Sequence, residues 1–158
     1  MMMKRSLFLA FSMIALLGCK RGAPESSASG AEASASWQAF TDFYERFHQD
    51  SAYQMAHITF PLEGLPQGAD SVTIASGTFR WTPENWAIQH GFNLQSSDYE
   101  HQLRPVGDDA VIEKFVHRTG DLAIVRRFAR LGDEWYLIYY AGLNNVRKDG
   151  GIDIEGGF

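Results

Sequence analysis

The second half of the chain carries the pattern that most constrains its fold, a series of alternating segments that fit β-strands. Three further strand-like segments, at 110–118, 121–131 and 134–142, follow one that begins at Tyr99. Thr119-Gly120 and Gly132-Asp133 separate the last three segments, and both pairs suit two-residue hairpin turns. Because such turns join antiparallel neighbours, the pattern predicts an antiparallel meander.

The segment before the meander predicts an amphipathic helix that packs on the sheet. Ser36 is a suitable N-cap, and aromatic side chains then recur at helical spacing. These are Trp37, Phe40, Phe43, Tyr44 and Phe47. A stripe of this kind is far more often part of a core than of a ligand site. We therefore expect this face of the helix to be buried against the sheet.

Shorter elements are predicted between the helix and the meander. The pattern indicates a helix over 52–56 and a strand over 58–62, which Pro61 confines to a sheet edge. A loop over 63–70 leads to a strand over 72–81 with a bulge at Gly77, and then to a helix over 82–90. The predicted fold class is α+β, with N-terminal helices packed on a curved antiparallel sheet.

The N-terminus has the features of a secretory signal. Lys4 and Arg5 precede an apolar run over 7–17, which is too short to cross a bilayer as a helix. The run ends at Leu16-Leu17-Gly18-Cys19, which resembles the lipobox of bacterial lipoproteins. That resemblance implies that Cys19 becomes the lipidated N-terminus of the mature protein and joins it to the membrane. The alternative is a structural or disulfide cysteine, although Cys19 has no second cysteine in the chain to pair with.

The predicted organisation has four parts. Residues 1–18 form the signal peptide, and residues 19–36 form the lipidated cysteine with a flexible linker rich in Ser, Ala and Gly. A single α+β domain covers 37–145, and 146–158 is a loose tail. Lys20 follows the cysteine where an inner-membrane retention signal has Asp, so we expect the outer membrane, facing the periplasm.

Charge argues against a nucleic-acid partner. Without its first 18 residues the chain has 12 basic and 19 acidic residues, a formal charge of −7. Phosphate backbones require a basic surface, so no nucleic-acid binding is expected. The five histidines and the single cysteine lack the spacing of a metal site, and no motif predicts a cofactor.

The hairpin registers bring together a row of polar residues that is a candidate ligand site. Two-residue turns pair Glu113 with Arg126 and Arg126 with Tyr139, on a face that is otherwise largely apolar, with His117 further along. The alternative is a salt bridge on the surface. The opposite face is also apolar, which predicts a homodimer through one face of the sheet.

Acid–base chemistry has two further candidates near the start of the meander. Asp98 and His101 are residue types that serve as general bases. Their spacing of three places them on opposite faces of a strand, which argues against their acting together.

The order of these elements resembles the nuclear-transport-factor-like cone fold, which ketosteroid isomerase, scytalone dehydratase and polyketide cyclases share. The segment over 40–64 is similar to an uncharacterised family of bacterial lipoproteins given that fold, through its aromatic helix, Asp50-Ser51, Tyr53-Gln54 and Phe60-Pro61-Leu62. The resemblance implies a fold but no activity, since a cone accommodates both enzymes and binding modules.

Three functions therefore stay open. The first is a membrane-anchored envelope lipoprotein that binds a small ligand or a protein without catalysis. The alternative is a small cofactor-independent lyase or isomerase that uses Glu113, His117 or His101 as its base. The third is a purely structural domain that serves as a partner for other envelope proteins.

Overall fold

A computed structural model describes residues 26–92 and 98–146. The predicted signal peptide, Cys19 and all but the first residue of the predicted tail lie outside these ranges. The helices are α1 (Ser26–Gln49), α2 (Ser51–Ala56) and α3 (Ser71–Ser76). The strands are β1 (Ile58–Leu65), β2 (Arg80–Trp81), β3 (Tyr99–Val106), β4 (Ala110–His117), β5 (Leu122–Leu131) and β6 (Glu134–Asn145).

The six strands form one curved, open, mixed sheet in the order β2-β1-β6-β5-β4-β3. The predicted meander is confirmed, because β3 to β6 are successive antiparallel neighbours. The prediction of a wholly antiparallel sheet is wrong, because β1 pairs in parallel with β6. That pairing joins segments about 80 residues apart, and no local pattern specifies it.

Helix α1 supplies the main core, as its aromatic spacing predicts. Phe40, Phe43 and Phe47 are buried, and each ring contacts Phe128 of β5 at a centroid distance of 5.6 to 5.8 Å. These rings repeat every three or four residues, so one side of the helix is apolar. Burying each ring stabilises the fold by about 1.5–3 kcal/mol.

The helix begins earlier than predicted. Ser36 does not cap it, since α1 starts at Ser26 and its first eleven residues overlap the predicted linker. The alanines in this segment favour a helix, and extending one already formed costs little compared with nucleating it. The Ser36 hydroxyl instead donates a hydrogen bond to the backbone carbonyl of Asp108.

The opposite face of the sheet is covered in part by the chain itself. Ile112, Val125 and Ala141 form a second apolar cluster with Leu65, and Ile74 of α3 packs against it. A doubly apolar sheet needs cover on both faces, and here the segment after β1 supplies some of it. The homodimer stays a prediction.

The predicted strand over 72–81 is wrong for most of its length. Asp70 accepts a hydrogen bond from the backbone N–H of Thr73 at 2.7 Å and caps α3, and Gly77 ends that helix in the left-handed conformation. Strong caps at both ends outweigh the strand preference of Val72 and Ile74. The glycine is therefore a helix terminator and not a bulge.

The predicted helix over 82–90 is also wrong. One turn forms after Thr82, whose N–H donates to Asn85 Oδ1 at 2.7 Å, and the chain then continues without helix. The buried Gln54 of α2 holds this segment: it donates to the carbonyl of Gln89 at 2.7 Å and accepts from that residue's N–H at 2.8 Å. Bonds to a side chain replace the bonds that a helix would make.

Pro61 does not restrict its strand to an edge, because β1 lies between β2 and β6. The β1–β6 register shifts between Ile58 and Glu63, and Pro61 falls in this irregular stretch. A proline lacks the N–H that a regular ladder uses, so a shifted register accommodates it inside a sheet.

Gly64 lies close against the backbone of β6, and we expect Gly64→Ala to destabilise the fold. An added Cβ would lie 1.9 Å from the backbone oxygen of Tyr140, so the strands would have to separate. We expect a loss of about 3 kcal/mol in the free energy of unfolding, measured by urea denaturation. The control is Gly91→Ala, where a Cβ meets nothing within 4 Å. Equal stability of the two variants would contradict this packing.

Candidate functional site

A buried ion pair lies at the centre of the sheet, beneath helix α1. Glu113 of β4 is opposite Arg126 of β5, and Glu113 Oε2 accepts from Arg126 Nη1 at 3.1 Å. The glutamate is 0% exposed and the arginine 4%. The predicted pairing is confirmed, but the alternative of a surface salt bridge is wrong, because water reaches neither partner.

Two further donors complete the environment of the carboxylate. His101 Nε2 lies 2.7 Å from Glu113 Oε1, and the Tyr44 hydroxyl donates to the same oxygen. Burial alone would raise the pKa of Glu113, but the charge of Arg126 and the bonds from His101 and Tyr44 outweigh it, so this pKa is lowered. Glu113 is therefore an ionised group that accepts hydrogen bonds from three donors.

Tyr44 is held as a hydrogen-bond donor. Burial, together with the neighbouring charge of Glu113, raises the pKa of the Tyr44 phenol strongly. The hydroxyl therefore keeps its proton and points it at the carboxylate. Its ring lies parallel to that of His101, with centroids 6.4 Å apart.

Arg126 extends the network to His48. Its Nη1 also lies 2.9 Å from His48 Nε2, while His48 Nδ1 lies 2.8 Å from the backbone oxygen of Tyr44. A guanidinium only donates and a carbonyl only accepts, so His48 carries its proton on Nδ1 and accepts at Nε2. Burial lowers the pKa of His48, which agrees with a neutral ring. We call Tyr44, His48, His101, Glu113 and Arg126 the carboxylate network.

A cleft of about 380 Å³ opens directly above the carboxylate network. We refer to it as the central cleft. Its aromatic walls are Tyr44, Phe92, His101 and Phe115, and it also includes His48, Gln49, Glu45 and Gly91. His101 stacks on Phe115 with centroids 4.5 Å apart and ring planes 6° from parallel. The volume lies at the lower end of the range for small-molecule sites, about 300–1,000 Å³.

A second, smaller cavity of about 140 Å³ lies beside the first half of α1. Trp37, Phe40 and Trp135 contribute to it, together with the β3–β4 turn. It contains no member of the carboxylate network, so it lacks oriented polar groups of the kind found beneath the central cleft.

The predicted pairing of Arg126 with Tyr139 is wrong. The β5–β6 register shifts between Arg127 and Phe128, so Tyr139 lies opposite Arg127 and Tyr140 lies opposite Arg126. One extra residue on β6 moves the side chains that follow it to the other face, up to the next register shift, between Ala123 and Val125. The ring of Tyr140 therefore lies near Arg126, with its centroid 5.9 Å from the guanidinium carbon, and Tyr139 packs in the second cluster.

His117 and Asp98 lie outside the carboxylate network. His117 Nδ1 is 2.8 Å from the hydroxyl of Thr119 in the β4–β5 turn, and the exposed Asp98 accepts a backbone bond from Arg118. Of the candidate bases, the structure brings Glu113 and His101 together and separates His117 from them.

Sequence reasoning missed Tyr44, His48 and Gln89 as members of the site. Tyr44 and His48 are four residues apart on the buried side of α1. No sequence pattern indicates Gln89, whose side-chain oxygen accepts a hydrogen bond from Arg126 Nη2 at 3.1 Å. The available signal was a tyrosine and a histidine within an otherwise phenylalanine-rich stripe. Their polar atoms require partners when they are buried.

Within residues 26–92 and 98–146, no group of histidine, cysteine or acidic residues has the geometry of a metal site. None of the helices in that part of the chain has the length and apolar character needed to cross a membrane. No protein-family model, curated protein or solved structure matches the chain.

We expect Glu113→Gln to be far more damaging than the same change in an exposed ion pair. The substitution leaves Arg126 charged and buried without its counter-ion, which costs about 3–5 kcal/mol. The control is Glu63→Gln, because Glu63 pairs with Arg80 at 3.0 Å on the surface. That change should cost less than about 1 kcal/mol. Urea denaturation at neutral pH measures both, and a similar small loss in both variants would show that the buried pair is not required.

Proposed function

We propose that this chain is a lipid-anchored protein of the bacterial cell envelope whose central cleft binds a small apolar ligand. The observation that carries the proposal is the arrangement at the cleft floor: aromatic walls above a fully buried, hydrogen-bonded ion pair. Apolar clefts with a few fixed polar groups are the usual form of a small-molecule site.

The state of Glu113 favours binding over catalysis. The carboxylate is sealed from the cleft, and Arg126, His101 and Tyr44 donate to it. A general base must reach its substrate directly or through one water, which this buried group does not. The network therefore fixes the cleft walls and does not itself react.

The lipid anchor belongs to the same proposal and is supported by the sequence. The apolar run that ends at Leu16-Leu17-Gly18-Cys19 has the length and composition of a lipoprotein signal, and Lys20 favours the outer membrane, facing the periplasm. The finer fold is likewise proposed as a nuclear-transport-factor-like cone. The order of a long helix, a short helix, a strand and a meander supports it.

One observation favours a small lyase or isomerase as the second candidate. His101 is bonded to Glu113 through Nε2 and reaches the central cleft, as a carboxylate-oriented base would. If the protein is an enzyme, His101 is thus a better candidate base than Glu113, which is sealed, or His117, which lies in a turn.

We expect Cys19→Ser to release the protein from the membrane. A serine cannot take the thioether-linked lipid, and without acyl chains an acidic domain has little affinity for an anionic bilayer. Cell fractionation and immunoblotting should show most of the variant leaving the membrane fraction, while Lys20→Ala stays there. Retention of Cys19→Ser in the membrane fraction at the wild-type level would refute the anchor.

We expect the central cleft, and not the smaller cavity, to bind an apolar probe. Phe92 and Trp37 are matched aromatic residues, 41% and 39% exposed, one at each cavity. Phe92→Ser should weaken binding of phenylnaphthylamine about tenfold, because the probe loses one apolar wall. Trp37→Ser should leave its affinity unchanged. Fluorescence titration of the full-length protein measures both, and the reverse order would place the ligand in the other cavity.

A further inference from the structure

The contacts of His101 determine which of its two ring nitrogens can accept a hydrogen bond from a ligand in the central cleft. Its Nε2 faces Glu113, which is ionised and can only accept, so Nε2 carries the proton. In a neutral imidazole the other nitrogen, Nδ1, is then an acceptor. Among the described residues, the only hydrogen bond of the His101 side chain is the one at Nε2. The side chain is 19% exposed and lines the cleft.

The walls around this acceptor are suited to a flat molecule. Phe115 stacks on the His101 ring and Phe92 lies 4.9 Å from Phe115 between centroids, while the Tyr44 ring lies 6.4 Å from the His101 ring between centroids. Aromatic faces of this kind favour planar ligands, which stack or meet them edge to face.

The charges behind the walls oppose an ionic ligand of either sign. The carboxylate of Glu113 lies directly behind His101 and disfavours an anion at Nδ1. The guanidinium carbon of Arg126 lies 5.4 Å from the centroid of Phe115 and disfavours a cation against that wall. Glu45, which also lines the cleft, likewise disfavours an anion. A neutral ligand that donates one hydrogen bond avoids these penalties.

We infer that the central cleft takes a small, neutral aromatic molecule that presents a hydroxyl group, with the hydroxyl donating to His101 Nδ1. This inference rests on the proposed binding function and adds the chemical class of the ligand. Glu113 acts as a positioning residue, because its bond to Nε2 fixes which ring nitrogen accepts.

The test compares naphthol with two molecules of the same ring system that lack the donor, its methyl ether and naphthalene. Isothermal titration calorimetry uses the full-length protein in detergent at pH 8, with a detergent-only titration subtracted. We expect wild-type protein to bind naphthol about tenfold more tightly than either comparison molecule. His101→Phe keeps an aromatic wall but removes Nδ1, so this variant should bind naphthol and the two comparison molecules with about equal affinity.

The outcomes separate this inference from the function on which it rests. If all three molecules bind wild-type protein equally, the inference is overturned and the proposed binding function stands. If none binds, both are overturned. A preference for naphthol that persists in a folded His101→Phe protein also overturns the assignment to Nδ1. Should that variant fail to fold, the comparison of the three molecules on wild-type protein still decides.

Discussion

The structure depends on the ion pair between Glu113 and Arg126, because two charges without access to water must be satisfied by the protein alone. Removing such ions from water costs several kcal/mol each, and their attraction offsets that cost only when the remaining polar atoms are also bonded. Here three donors reach the carboxylate, and His48 and Gln89 accept from the two terminal nitrogens of the guanidinium. Its buried Nε has no hydrogen-bond partner in the described part of the chain. The pair thus requires particular residues on α1, on β3 and in the segment before residue 92.

This requirement explains why α1 is not uniformly apolar on its buried side. Phe40, Phe43 and Phe47 fill space against the sheet, whereas Tyr44 and His48 bring an O–H and a ring nitrogen to the ion pair. A helix rotated or shifted by one residue would bury charge without partners. The network therefore fixes the position of the helix on the sheet as well as the floor of the central cleft.

The ion pair and its hydrogen-bond partners also determine which polar groups face the central cleft. Glu113 orients His101 through a hydrogen bond, and the ring of His101 also stacks on Phe115. The short helix α2 supports the ion pair indirectly. Its Gln54 hydrogen-bonds the backbone of Gln89, and the side chain of Gln89 accepts from Arg126. Polar side chains connect these elements where regular secondary structure does not.

The sequence by itself determined the parts that follow from local period and turn chemistry: the aromatic helix, the four strands from Tyr99 onward, the two-residue turns, and the pairing of Glu113 with Arg126 that those turns impose. Tertiary structure alone decided the rest. The parallel pairing of β1 with β6 joins distant segments. The register shift after Arg127 places Tyr140, and not Tyr139, opposite Arg126. The caps Asp70 and Gly77 stabilise a helix where the sequence pattern predicts a strand. The partners of the ion pair came from three separate segments. Their meeting depends on how the elements pack, because a buried charge selects its partners by distance in space and not by position along the chain.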